Sequence, residues 1–177
     1  MSFVSRLIGA RRRTVALEEE ALLCLRRGDV ATARALADKA LALAPRAAEV
    51  HQLSGRVAMA EGRFDAAAAH LQTAISSEPD SASIRFDFAE SLRRSGRAVE
   101  AFDAYQAVLR AEPAHADALL GLAEALADAG DPTGAGDALA RARQALTGPS
   151  ATDKVRTARL EALTARLASP RGHEGTP

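Results

Sequence analysis

The sequence predicts an all-α solenoid of about four helix-turn-helix repeats closed by a C-terminal helix. Two observations carry this. Gly28, Gly62, Gly96 and Gly130 stand 34 residues apart. With Gly near 7% of residues, three further matches at a fixed period have a chance probability on the order of 10⁻³ or less. A proline also lies seventeen residues after each of the first three glycines, at Pro45, Pro79 and Pro113. A period of this length marks a stacked repeat array.

The period also gives the content of each unit. Five and twelve residues after each glycine come small or β-branched residues: Ala33, Ala67, Ala101 and Ala135, then Ala40, Ala74, Val108 and Ala142. Each glycine is flanked by two stretches of helix length. Glycine tolerates the positive φ of a turn between helices, and proline stops the second helix. The fourth unit departs, with Thr147 where proline is due and Pro149 two residues late.

In chain order, residues 1–13 form a basic amphipathic segment. It has four arginines and no acid, with Phe3, Val4, Leu7 and Ile8 on one helical face. It either precedes and covers the first repeat or gives weak contact with an anionic membrane. Four repeats follow, at 14–47, 48–81, 82–115 and 116–149. Their helices are expected near 14–27 and 30–43, 48–61 and 64–77, 82–95 and 98–111, and 116–129 and 132–147. Thr14 or Asp29 can cap in the first unit, Ser81 or Ser83 can start the third, and Asp131-Pro132 reads as an N-cap and first turn. Gly148, Pro149 and Ser150 end the array. A capping helix within 150–168 presents Val155, Leu160, Leu163 and Leu167 on its apolar face and Lys154, Arg156, Arg159 and Arg166 on the other. A dimerisation role is its alternative. Residues 169–177 are expected to be a disordered tail.

Composition narrows function. The 23 basic and 23 acidic residues cancel, so no global field favours nucleic acid. The single Cys24 excludes an internal disulfide and fits a small apolar role facing the helix partner, in a reducing compartment. No apolar run reaches the roughly 20 residues that span a bilayer. A cytoplasmic protein, peripheral to a membrane at most, is expected. His51, His70, His115 and His173 are far apart and lack metal-ligand spacing, and no phosphate loop or catalytic constellation occurs. No cofactor, metal or catalytic residue is assigned.

The unit 82–115 carries Phe88-Ala89, Leu92, Gly96, Ala101, Tyr105, Val108 and Pro113. It resembles a tetratricopeptide repeat (TPR) in order and spacing, and the resemblance extends over about residues 14–149. It departs where a large aromatic is common early in the first helix: Leu17, His51, Arg85 and Leu119 stand there. Three places later, Glu20 and Ser54 replace an apolar residue.

The resemblance implies that the first helix of each TPR-like unit lines a concave face. The partner-binding residues expected there are Gln52, Arg56 and Met59, then Phe86, Glu90, Arg93 and Arg94, then Leu120 and Glu124. Phe86, Met59 and Leu120 are apolar groups on a face expected to be wet. The groove that clamps acidic tails of heat-shock chaperones is not implied, since Glu18, Leu22, Gln52 and Arg56 occupy its positions. The implied function is non-catalytic: a scaffold or adaptor that binds a protein, as a peptide or helix in the groove. A small secretion-type chaperone for an aggregation-prone client, or a structural protein that self-assembles into a homo-oligomer, are the alternatives.

Overall fold

The computed structural model describes the backbone of residues 3–146 and 151–168, and the side chains of 11–146 and 154–168. The described backbone forms α1 (Phe3–Arg26), α2 (Val30–Leu43), α3 (Ala48–Ala60), α4 (Phe64–Ser77), α5 (Ala82–Arg94), α6 (Ala98–Ala111), α7 (Ala116–Asp128), α8 (Pro132–Ala145) and α9 (Ala151–Ala168). Two compact units divide it after Gly96: α1–α5 form the first and α6–α9 the second. The expected tail at 169–177, the junction at 147–150 and the side chains of Phe3, Val4, Leu7 and Ile8 lie outside the described residues.

The four periodic glycines make the turns. Gly28, Gly62, Gly96 and Gly130 have φ between 75° and 85°, a region that costs side-chain-bearing residues dearly. The residue after the glycine then donates back to the helix it has left. Asp29 N–H reaches Cys24 O at 2.9 Å, and Arg63 and Asp131 repeat the contact to Ala58 and Leu126 at 2.8 Å. This satisfies helix-end carbonyls that would otherwise lack donors.

Side-chain caps start α2, α5, α7 and α8, but not α3, α4 or α6. Asp29 accepts from Thr32 N–H, Ser81 from Ile84 N–H and Asp131 from Gly134 N–H. The ring Nδ1 of His115 does the same for Ala118 N–H at 3.1 Å. Thr14 is not a cap. α1 runs unbroken through it, and its buried hydroxyl donates to Arg11 O one turn back. Residues from Phe3 onward are therefore one helix with the first repeat helix, because nothing between 3 and 26 interrupts it except a lone Gly9.

In the first unit, α1 packs on α2 and α3, α3 on α4 and α5, and α4 on α5. One core joins Ala21, Ala33, Leu36, Ala40, Val50, Leu53 and Val57, with Leu17 and a half-buried Cys24 against it. A second joins Ala67, Leu71, Ala74 and Ile84, with Met59 and Phe88 at its edge. Small residues set the spacing. A Cβ on Gly55 would lie 2.6 Å from Leu71 Cγ, so α3 and α4 touch at a glycine. Two of the four residues that stand where an aromatic is common act as donors instead. His51 Nε2 lies 3.0 Å from Pro45 O, and Arg85 Nε donates to Pro79 O at 2.7 Å. Each ties its helix to the carbonyl of the proline six residues back. Ser54 is buried and donates to Val50 O, which meets its hydrogen-bond need inside the helix.

In the second unit, α6 packs on α7, α7 on α8, and α9 on both α7 and α8. Tyr105 is fully buried, and a Cβ on Gly121 would come within 2.4 Å of its ring. α9 buries Leu160 and Leu163 and half-buries Leu167, but leaves Val155 73% exposed. Three of its basic residues turn back to α7: Arg156 to Asp117, Arg159 to Glu124 and Arg166 to Asp128. The expected apolar face is corrected at Val155, which stays exposed. The arginines flank the buried leucines and help dock the helix.

Candidate functional site

Gln52 and Arg56 sit one turn apart on α3. Ser83 and Asp87 sit one turn apart on the neighbouring α5. The i, i+4 spacing puts each pair on one helix face, so the two pairs meet. Gln52 Nε2 donates to Ser83 Oγ at 2.9 Å and to Asp87 Oδ2 at 2.7 Å. Arg56 Nε donates to the same Oδ2 at 2.6 Å, and its Nη2 to Ser83 Oγ at 3.2 Å. Asp87 is buried, while Gln52 and Arg56 are only half-buried. Burial raises the Asp87 pKa, and the Glu90 charge adds to this. The Arg56 charge and the hydrogen bonds from Gln52 and Arg56 pull it down without winning. The seam thus holds two polar side chains of α3 in fixed positions, with their anchor beneath them.

The remaining expected site residues divide. Glu90 and Arg93 form a half-buried pair at 2.7 Å on α5. Phe86, on the same helix, is half-buried, as is Met59 at the edge of the second core. Arg94 turns elsewhere: its guanidinium sits 4.5 Å above the Phe64 ring of α4, a cation–π contact. Adjacent helical positions point about 100° apart, so Arg93 and Arg94 were not free to share a face.

In the second unit Leu120 is fully buried, not an apolar group on a wet face as expected. Glu124 accepts both nitrogens of Arg159, at 2.5 and 2.6 Å, and is engaged by α9. Ser83 and Asp87 were absent from the expected set. Asp87 carried a signal: a carboxylate among Phe86, Phe88 and Ala89, 35 residues after Gln52, which is one repeat plus one residue.

A second polar contact joins residues that looked unrelated in sequence. His51 Nδ1 of α3 and His70 Nδ1 of α4 are 3.3 Å apart. Burial lowers the His70 pKa, the His51 and Arg63 charges add to this, and Asp38 opposes it. Among the described residues no group of three His, Cys, Asp or Glu is placed to hold a metal ion, and no helix is long and apolar enough to cross a membrane.

Two cavities of about 500 and 490 Å³ flank α1. Val15, Leu43 and Val50 line the first with Glu18 and Glu49; burial and the Glu49 charge raise the Glu18 pKa, while Arg56 opposes them.

Comparison with known proteins agrees with this architecture. Two family profiles described as tetratricopeptide repeat match, one over residues 53–113 and one over 92–167. No curated protein matches the sequence significantly. Among solved structures, the chain is similar to a mutant O-GlcNAc transferase of Thermobaculum terrenum at 26% identity and TM-score 0.71. That likeness covers 76% of this chain but only 26% of the transferase, so the chain spans about a quarter of that relative's length. A thermophilic TPR protein of Thermus thermophilus is 17% identical with TM-score 0.75, covering 88% of this chain and 83% of that one. The pilF protein of Pseudomonas aeruginosa is 18% identical with TM-score 0.72, covering 92% and 79%. The last two likenesses concern the fold.

Proposed function

This chain belongs to the tetratricopeptide repeat family, and on that premise we propose that it is a non-catalytic protein-interaction module whose first unit binds a peptide or helix on the face shared by α3 and α5. The observation that carries this reading is the Gln52–Arg56–Ser83–Asp87 seam. It fixes an amide and a guanidinium in place before any ligand arrives, which lowers the ordering cost of binding. Met59 and Phe86 add half-buried apolar surface on the same two helices, and Glu90 and Arg93 add a paired charge. Apolar anchors among fixed polar groups are the composition of a binding hot spot. Leu120, being buried, and Glu124, being held by Arg159, take no part in the proposed face. The catalytic activity of the transferase is not carried over, since the likeness spans so little of it.

The test is selection of a random peptide library on the protein, followed by binding of the enriched peptides to Phe86→Ala/Arg93→Glu. The expected result is at least a tenfold loss of affinity with unchanged helicity by circular dichroism. Undiminished binding to the double variant would move the site away from α3 and α5.

A further inference from the structure

The outward edge of the first helix pair is unlike the rest of its unit. Arg13, Ala16, Leu17 and Glu20 of α1, with Lys39, Ala42 and Leu43 of α2, line the cavity of about 490 Å³. Leu23 is 39% exposed and Leu43 41% exposed on the same two helices. Among the described residues α1 packs on α2 and α3 alone, so no further helix covers this edge. The opposite end of the chain is treated differently: there α9 packs on α8 and α7. A repeat array that ends on an apolar flank needs something to solvate or bury it.

The charges on this edge say what fits. Residues 11–20 read RRRTVALEEE, three cations and three anions mirrored about a short apolar centre. Seven residues separate Arg13 from Glu20, so both lie on one face of α1, two turns apart. Neither makes an ion pair among the described residues. A face with one cationic and one anionic end is complementary to itself when turned around. Laid antiparallel about an axis beside Ala16 and Leu17, two copies bring each Arg13 against the other's Glu20. Laid parallel, they set like charges together. Closed two-fold association requires such a self-complementary patch. The small Ala16 permits close approach of the helices, and Leu17 and Leu43 supply apolar contact.

We propose that this edge is a homodimer interface, in which α1 pairs antiparallel with α1 of a second copy and Arg13 faces Glu20 across the two-fold axis. The interface uses residues distinct from the α3–α5 face and does not rest on the peptide-binding reading.

The experiment is solution mass by light scattering over a concentration series of the full chain. Wild type is expected to rise from 18.5 kDa toward twice that value. Arg13→Glu and Glu20→Arg, each alone, place like charges at both contacts and are expected to stay monomeric. Mixing these two variants in equal amounts restores complementarity and is expected to restore the dimer. Leu43→Asp is expected to be monomeric, with helicity retained by circular dichroism. A wild type that stays at 18.5 kDa throughout overturns the proposal, whatever else binds this edge. So does a dimer indifferent to both charge reversals.

Discussion

Two polar seams of this chain follow one rule with opposite polarity. In the first unit, the earlier helix α3 supplies the donors Gln52 and Arg56, and the later helix α5 supplies the carboxylate Asp87. In the second, the earlier helix α7 supplies the carboxylates Asp117, Glu124 and Asp128, and the later helix α9 supplies the arginines. The separations are alike, 35 residues from Gln52 to Asp87 and 35 from Glu124 to Arg159. Burial differs. The Asp87 side chain is only 11% exposed and Glu124 14%, whereas Asp117 and Asp128, at the other two pairs, are 26% and 41% exposed. The first seam concentrates its donors on one desolvated carboxylate, while the second spreads three pairs along a docked helix. Position in a repeat therefore sets where a polar contact forms. Depth sets how much depends on it.

The largest expected effect breaks the first seam. Arg56→Ala leaves the buried Asp87 carboxylate without its counter-charge, and is expected to cost about 2–3 kcal/mol in urea unfolding, somewhat less than a wholly buried pair because Arg56 is partly exposed. Asp87→Asn, which keeps an acceptor for Arg56, is expected to cost less. The close helix contacts come next. Gly121→Ala drives a methyl into the buried Tyr105 ring and is expected to cost about 2 kcal/mol, by the same assay. Arg166→Ala, at the most exposed pair of the second seam, is expected to cost about 0.5 kcal/mol and to become less costly in high salt. An Arg166→Ala loss as large as that of Arg56→Ala would erase the distinction drawn from depth.

The smallest effect is on pH. The folded-state pKa of His70 lies below its ordinary value of 6.5, so the unfolded chain binds more protons in the window between the two. The His70 contribution to stability is present above 6.5, falls as pH drops below it, and levels off below the folded-state pKa. Replacing His70 with Gln is expected to flatten the dependence of Tm on pH near and below that value.

Much of this architecture is readable from residues alone. Glycines 34 apart fix the turns, because a position that needs positive φ shows itself in composition. The ends of α2 to α7 fall within one residue of the expectation, since glycine, proline and cap residues act locally. Contacts between neighbouring repeats are less legible. Leu120 reads as a groove residue by register, but periodicity does not reveal that this position is wholly buried. Asp87 reads as a surface acid until Gln52 and Arg56 are seen one repeat earlier. His51 and His70 fall on the paired helices of one unit, so their meeting depends on helix pairing that ligand-spacing rules do not describe. The break expected at Thr14 failed because a threonine inside a helix can bond its own backbone as readily as it caps one.

The first unit is proposed to recognise its ligand on α3 and α5. The most direct test is a titration of isotope-labelled protein with a library-selected peptide, read by backbone amide NMR. Shift changes are expected to concentrate on α3 and α5, including Gln52, Arg56, Phe86 and Arg93. Changes confined to α2 and α4, with these amides unmoved, would contradict the proposal.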